Sequence, residues 1–567
     1  MTNIPIVVED LIRRRVAQVV KKMPQSPGMR GEKGCENAAR KSFIPTTFWN
    51  HSAQSGLSYF HNPGRYPLVH RTIGQELSHA VNKCSDREYI IGVEEKQKLT
   101  YQQIKTEADS LAAGFHCIGL KRGDRLGIWA PNVASWPVVM FAAARAGLIL
   151  VALNPAYEAT EMEFCLRKVG VKALVTSESF RSQDYYEKLQ QIVPELISSD
   201  PGRIKCKKLP SLASILIDSE KNFAGTFRLC DVKSMPMASQ IVGIEDQQKD
   251  ISPDSGCCIM FTSGTTGNPK AALLKHSAVV NCGLHFDKIE LLERKILLPV
   301  PFFHVFGLVP GIMGALTNQA TIVIPSTTYN PEKSLLAIRN EKCSILYGTP
   351  TMFVDLVKKQ KEIKLDIRPE IAFFGAAPSS PQLIQDMKKD LGLKKLKTAY
   401  GMTESTACSF ISLPEDSDDQ VCETIGYVND HIEAKIIDKQ GNIVPFGIPG
   451  ELCVRGHFTM LKYWDDMEKT QKVLGSDGWL KTGDQFILQP NGYGKIVGRL
   501  KEIIIRGGEN IFPKEIEDFL ATCPEISEVY IVGVPDKRFG EEMCAYVRLQ
   551  SGSQFTEKDI REYCNVS

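Results

Sequence analysis

Arg125-Leu126-Gly127-Ile128-Trp129-Ala130 is an apolar run led by a single charge, and residues 134–146 after it repeat apolar side chains at helical spacing. Residues 148–153 form a second apolar run, too short for a helix. Thr160 and Glu163 then stand at the spacing of a capping box ahead of another periodic stretch, and residues 173–176 close the segment. The order predicted is strand, helix, strand, helix, strand. Such crossovers make neighbouring strands parallel and require both sheet faces to be covered. The same rhythm returns at residues 322–325, 345–347 and 371–374. The expected fold class is therefore α/β: a large N-terminal domain of several subdomains with layered sheets and helices. Residues 198–211, with Pro201, Gly202, Lys205, Lys207 and Lys208, read as a polar surface loop.

At 567 residues and 43% hydrophobic content the chain can bury more than one core, and it divides into three segments. Residues 1–45 carry nine Lys or Arg against four Asp or Glu, and Leu11-Ile12-Arg13-Arg14-Arg15 and Val19-Val20-Lys21-Lys22 alternate apolar and basic character. That pattern fits a transit peptide and equally a disordered basic tail, since Glu9 and Asp10 are unusual in a presequence. Residues 46–499 read as the large domain and 500–567 as a small α+β domain. In the latter a strand is expected at 502–505, a turn at Gly507-Gly508, and a helix opened by Pro513 with Glu515 and Glu517 in its first turn. Strands at 529–534 and 545–549 follow, then a helix capped by Thr556. The apolar stripe Ile560, Tyr563 and Cys564 should feed a further partner, so the small domain is expected to be incomplete, with a sheet edge open.

The 68 basic and 66 acidic side chains nearly cancel, which removes the global field that nucleic-acid binding requires. Sixteen cysteines without a C-x-x-C pair read as reduced thiols, and the ten histidines show no metal-ligand spacing. Arg145 interrupts the longest apolar run, between Trp136 and Leu153, so no transmembrane segment is expected.

The densest chemical signal is Thr262-Ser263-Gly264-Thr265-Thr266-Gly267-Asn268-Pro269-Lys270, directly after an apolar run ending at Phe261. Hydroxyls and glycines packed this closely aim N–H and O–H donors at one point with a lysine at the edge, which is what a polyphosphate requires. It is not a Walker A loop, which needs glycine where Pro269 stands and Ser or Thr where Ala271 stands.

The segment resembles the nucleotide-binding loop of the adenylate-forming, or AMP-binding, superfamily: acyl-CoA synthetases, coumarate-CoA ligases, luciferases and peptide-synthetase adenylation domains. Further segments keep that family's order. They are Phe303-His304-Val305-Phe306-Gly307, Gly375-Ala376-Ala377-Pro378, Tyr400-Gly401-Met402-Thr403-Glu404, Gly450-Glu451-Leu452, Thr482-Gly483-Asp484, and Gly498-Arg499-Leu500-Lys501-Glu502 with Gly507-Gly508-Glu509-Asn510. Residues 347–355 and 504–511 are similar to those of mitochondrial medium-chain acyl-CoA synthetases. The resemblance spans roughly residues 70 to 566.

It implies a fatty acid–CoA ligase that turns a medium-chain carboxylate, ATP and CoA into acyl-CoA, AMP and pyrophosphate through an acyl-adenylate. Lys270, Thr403 and Glu404 are the implied catalytic residues. The loop from Thr262 to Lys270 would hold the β- and γ-phosphates, Glu404 would ligate Mg²⁺, and Thr403 would donate to the α-phosphate. Tyr400 on one side and Gly375, Ala376 and Ala377 on the other would face the adenine, while Asp484 takes the ribose hydroxyls with Arg499 nearby. His304 is either an acyl-pocket gate or a core histidine. Lys501 maps to a hinge and Gly508 to a loop lining the pantetheine channel. The partners implied are small molecules (fatty acid, ATP and CoA), with the oligomeric state open and the mitochondrial matrix, or alternatively the cytoplasm, as the location. Two other readings stand: a largely non-catalytic isoform that binds nucleotide, acyl-CoA or a full-length partner, and an aromatic-acid CoA ligase. In the family an adenylation lysine lies past the last helix in a Gly-Lys motif, which the residues up to Ser567 do not contain. The expectation is a weak adenylator, its barrier raised by several kcal/mol, that still thiolates a supplied acyl-adenylate. Ala271 and Lys462 each stand where the family has glycine, and both departures are expected to be local.

Overall fold

A computed structural model describes residues 4–7, 56–262, 269–375, 381–500, 502–506, 509–511, 513–536, 540–550 and 552–566. The segment beginning at Arg125 forms the middle of an eight-stranded sheet. In spatial order its strands are Phe227–Arg228, Ser214–Asp218, Val171–Ser177, Arg125–Trp129, Ile149–Ala152, Gly256–Thr262, Lys270–Lys275 and Lys462–Tyr463. The first six are parallel and the last two pairings antiparallel. Helices Ser135–Arg145 and Ala159–Val169 make the crossovers. A second sheet runs Tyr427–Val428, Phe410–Ile411, Lys395–Tyr400, Ile371–Gly375, Ile345–Gly348, Lys295–Leu297, Thr321–Ile324, Glu88–Gly92 and Gln97–Thr100, antiparallel only at its outer pairings. Helices Ile73–Cys84, Tyr101–Cys117, Ser135–Arg145 and His276–Leu284 share one apolar core with both sheets, giving the layered α/β arrangement.

Two details differ from the sequence reading. The helix Ala159–Val169 is capped by Glu158 with Glu161, not by Thr160 with Glu163: the Glu158 N–H donates to Glu161 Oε2 at 3.0 Å. Glu163 instead meets Arg167 one turn on. The stretch expected as a polar surface loop has neither helix nor strand from Ser199 to Ala213, yet Ile204, Cys206, Leu209 and Leu212 are buried in the second core. Its lysines face out while its apolar positions pin it down.

Arg145, which broke the apolar run in the sequence, is fully buried between helices. Its guanidinium meets Asp109 and lies 2.7 Å from Glu245, and it donates to the Gly74 carbonyl at 2.9 Å and to Ser78 Oγ at 3.0 Å. Burial alone would raise the Glu245 carboxyl, but Lys105 and Arg145 hold it down at about 2. A charge so fully partnered is tolerated inside, and removing one partner would be costly. Further along the chain, Val305 and Phe306 lead into a buried π-helix, Gly307–Met313, which continues as Gly314–Thr317. Pro310 and the wide winding loosen the usual ladder, and tyrosine hydroxyls supply donors: Tyr347 to the Pro310 carbonyl, Tyr89 to Ile312 and Tyr101 to Ala315.

A third, antiparallel sheet comprises Tyr59–Asn62, Ile432–Ile437, Gly450–Gly456, Leu480–Leu488 and Gly494–Arg499. The next strands, Ile504–Arg506, Glu509–Ile511, Ile526–Asp536 and Gly540–Leu549, belong to a separate small sheet with helices Pro513–Leu520 and Glu557–Val566 sharing its core. Ile4–Val7 pairs antiparallel with Gly540–Leu549 in this sheet, Ile4 opposite Val547 and Val7 opposite Cys544. A run of Ile, Pro, Ile and Val favours extended backbone, and Pro5 is acceptable at an outer edge. The rest of the basic segment, residues 1–3 and 8–45, lies outside the described residues. Among the described residues the cysteines are free thiols, and no helix is long and apolar enough to cross a membrane.

Candidate functional site

Gly256–Thr262 and Lys270–Lys275 form a hairpin in which Thr262 and Lys270 are register partners. Both ends of the hydroxyl-rich loop therefore sit at one mouth, anchored by the buried run Cys257, Cys258, Ile259 and Met260. Ser263, Gly264, Thr265, Thr266, Gly267 and Asn268 lie outside the described residues; Pro269 is within them. Across the mouth stands Glu404, 5% exposed. Its Oε1 accepts from Tyr463 OH at 2.7 Å and from Thr262 Oγ1 at 3.4 Å. The Lys270 ammonium lies 5.0 Å from the centroid of the same tyrosine ring.

The turn carrying Glu404 is held in an unusual backbone. Thr403–Ser405 is a single 3₁₀ turn, followed by Thr406 at φ 47° and Ala407 at φ 79°, left-handed values costly for residues with a Cβ. Gly401 makes the fold-back possible, since a Cβ there would come within 2.1 Å of the Ala407 carbonyl oxygen. Thr406 Oγ1 donates to the Phe458 carbonyl, and Met460 N–H donates to that of Glu404 at 2.8 Å, so residues 458–463 brace the turn. Thr403, 8% exposed, shares the turn.

A second cluster sits at the end of strand Lys395–Tyr400. The Tyr400 hydroxyl donates to Asp484 Oδ2, and its ring lies 5.5 Å from Phe486 and 6.2 Å from Phe410. Asp484, 7% exposed, follows Gly483 at φ 75°, and its N–H donates to Thr482 Oγ1. Burial pushes the Asp484 carboxyl up, against the opposing pull of the Tyr400 hydroxyl and of Arg499. Arg499 pairs with Asp484 in the strand register, its Nε 3.4 Å from Oδ1, but its side chain is 64% exposed. Gly375 ends the neighbouring strand. A Cβ there would lie 3.5 Å from the Ala399 carbonyl and 4.0 Å from Phe306 Cζ, so its absence keeps the space between them open. Ala376 and Ala377 lie outside the described residues, as do Lys501 and Gly508.

His304 keeps a solvent-exposed face. The Phe306 N–H donates to its Nδ1 at 3.2 Å, which leaves Nε2 to carry the ring proton, and desolvation by the protein around it pushes its pKa below the ordinary imidazole value. Behind it Phe306, Tyr347 and Phe373 pack with ring centroids 4.9–5.9 Å apart.

The structure thus gathers Thr262, Lys270 and Glu404 at one point and Tyr400, Asp484 and Arg499 at another, joined through the short turn from Tyr400 to Glu404. The residue set suits a magnesium nucleotide: a buried carboxylate whose Oε1 is fixed by two hydroxyls, with a lysine close by. Tyr463 is the member that sequence reasoning missed. Its neighbour Lys462 drew notice only as a departure, and its side chain is exposed over the Trp464 ring. Ala271 is buried in its strand, its carbonyl accepting from Trp464 N–H at 2.7 Å.

Comparison with known proteins gives these features a context. The AMP-binding enzyme family matches residues 77–464, and the AMP-binding enzyme C-terminal domain matches residues 515–567. The medium-chain acyl-CoA ligase ACSF2, mitochondrial, of Danio rerio is 41% identical over 515 residues, covering 89% of this chain and 84% of that protein. The protein of that name from Homo sapiens is 40% identical over 518 residues, covering 90% and 84%. Among solved structures, the anthranilate CoA ligase AuaEII in complex with anthranoyl-AMP superposes with a TM-score of 0.75 at 20% identity, over 88% of this chain and 91% of that one. ATP-bound MatB from Rhodopseudomonas palustris gives 0.72 at 23%, over 86% and 91%. The structural likenesses speak for the fold, and the sequence matches for descent: the chain belongs to the AMP-binding enzyme family, on its acyl-CoA ligase branch.

Proposed function

We propose that the chain is a ligase of the mitochondrial matrix that uses ATP to join medium-chain fatty acids to CoA. The observation that carries this reading is the convergence of Thr262, Lys270 and Glu404 at the mouth of one hairpin. The chain-length class and the compartment are supported by relatives about 40% identical that bear the names medium-chain acyl-CoA ligase and mitochondrial.

In the first step a carboxylate oxygen attacks the α-phosphorus of ATP, the bond to pyrophosphate breaks, and an acyl-adenylate forms. Two anions must be held together for this, so positive charge and donors dominate the site. Lys270 and the loop from Thr262 hold the β- and γ-phosphates, and Thr403 donates toward the α-phosphate. Glu404 would hold Mg²⁺, which when bound would neutralise phosphate charge. Tyr400, with Gly375, Ala376 and Ala377 opposite, brackets the adenine. Asp484 accepts from the ribose hydroxyls, two donors that offset the desolvation of its carboxylate, and Arg499 adds a cation at the rim. In the second step the CoA sulfur attacks the acyl carbon, the bond to AMP breaks, and the thiol proton is released. His304 and Phe306 gate the acyl pocket, while Lys501 serves as hinge and Gly508 lines the pantetheine channel.

A panel of saturated acids from acetate to palmitate, with coumarate, tests the reading by acyl-CoA and AMP formation. The expected optimum is at octanoate or decanoate. A preference for coumarate, or product formation without ATP, would overturn it.

A further inference from the structure

We infer that Tyr463 is a positioning residue for the metal–nucleotide site, presenting Glu404 to the cation through its hydroxyl while its ring steadies Lys270. The inference rests on the assignment of Glu404 as the Mg²⁺ ligand. Its ground is the geometry around one side chain. Tyr463 is 2% exposed, and its hydroxyl donates to Glu404 Oε1 at 2.7 Å, the shorter of the two bonds that oxygen accepts from described residues. Its ring face lies 5.0 Å from the Lys270 ammonium, within the range of a cation–π contact. One side chain therefore touches both charged groups at the mouth of the loop.

The backbone that carries Tyr463 leaves it little freedom. Lys462–Tyr463 pairs with the strand of Lys270, Tyr463 opposite Ala272. Leu461 N–H donates to the Leu273 carbonyl at 2.8 Å, Trp464 N–H to that of Ala271 at 2.7 Å, and Tyr463 N–H to Thr470 Oγ1 at 3.0 Å. Since Met460 N–H also binds the Glu404 carbonyl, the ring is tied to the lysine strand on one side and to the carboxylate turn on the other. A carboxylate with one oxygen held by hydroxyls can turn only its other oxygen toward a metal, and outer partners of this kind typically change metal affinity about 10–100-fold when removed.

The test is Tyr463→Phe in the full chain, with Mn²⁺ as the probe. Free Mn²⁺ is counted by electron paramagnetic resonance in the presence of ATP, and ATP affinity is measured separately in EDTA. The expected result is Mn²⁺ binding weakened about tenfold, with metal-free ATP affinity within about twofold of wild type. Should Phe lower the thermal midpoint, 4-methylphenylalanine at position 463 keeps the bulk of the hydroxyl without its proton and is expected to give the same split. Equal weakening with and without metal would mean a packing role and would overturn the inference. Glu404→Gln separates the levels. If it weakens Mn²⁺ binding and Tyr463→Phe does not, Tyr463 alone is wrongly assigned. If neither substitution moves Mn²⁺, Glu404 is not the metal ligand and both readings fall.

Discussion

Glu404 and Asp484 are both nearly sealed from solvent, and each accepts a hydrogen bond from a tyrosine hydroxyl, Tyr463 for the first and Tyr400 for the second. Their surroundings then diverge. Glu404 sits in a 3₁₀ turn that two left-handed residues follow, beside a lysine strand, and both hydroxyls that reach it from described residues take the same oxygen. Asp484 sits in an extended strand with an exposed arginine as its register partner, and burial raises its pKa. The difference teaches that a buried acid–tyrosine pair has no fixed role. A braced carboxylate near a cation suits a metal, whereas a desolvated one within a strand suits neutral hydroxyl donors.

The contrast can be broken most directly at Glu404. Glu404→Gln should reduce carboxylate-dependent pyrophosphate release about 10²–10³-fold, the scale of a lost charge-stabilising group; a loss below about tenfold would erase the distinction between the two acids. Asp484→Asn should cost less, about 1.5–3 kcal/mol in kcat/KM for ATP, the value of a hydrogen bond to a charged group. Its stability should move the other way. Because the folded pKa of Asp484 lies above the ordinary value of 3.8, the ionised carboxylate opposes folding above that pKa, and stability is regained as pH falls. Removing the charge should therefore raise the thermal midpoint at neutral pH while activity drops.

Acid sharpens the comparison further, because the fold has its own response there. Burial lowers His276 and His457 from 6.5 to about 3, so both are neutral when folded and protonated when unfolded between those values. Stability should hold above pH ~6.5 and fall below it by about 1.4 kcal/mol per pH unit for each histidine, as followed by urea denaturation. The smallest effect is expected at Arg499. Arg499→Ala should change the ATP KM by no more than about 1 kcal/mol, since an exposed ion pair is screened by water and salt.

The parallel strands were legible because buried strands bounded by helical periodicity leave a pattern in one stretch of chain, and the segment from Arg125 shows it within two residues at each boundary. The capping box was misplaced because Glu158/Glu161 and Thr160/Glu163 offer the same spacing, and Ser or Thr is the commoner cap. Strands of two residues, such as Lys462–Tyr463 and Phe410–Ile411, are too short to show alternation. Tyr463 was hidden for that reason and for another: its partner Glu404 is 59 residues away, and only the register with Lys270–Lys275 brings them together. Ile4–Val7 escaped notice because its pairing partner lies at the opposite end of the chain.

The π-helix Gly307–Met313 has a consequence for how the chain tolerates length changes. A winding of this kind arises when one residue more than a regular turn needs is stored inside a helix. His304 stands immediately upstream, so its azimuth about the helix axis depends on that stored residue. Deleting one position between Gly307 and Met313 would let the helix tighten to the ordinary pitch and swing the imidazole by about 100° around the axis. In this stretch a single codon lost would change where a side chain points before it changed how well the core is filled.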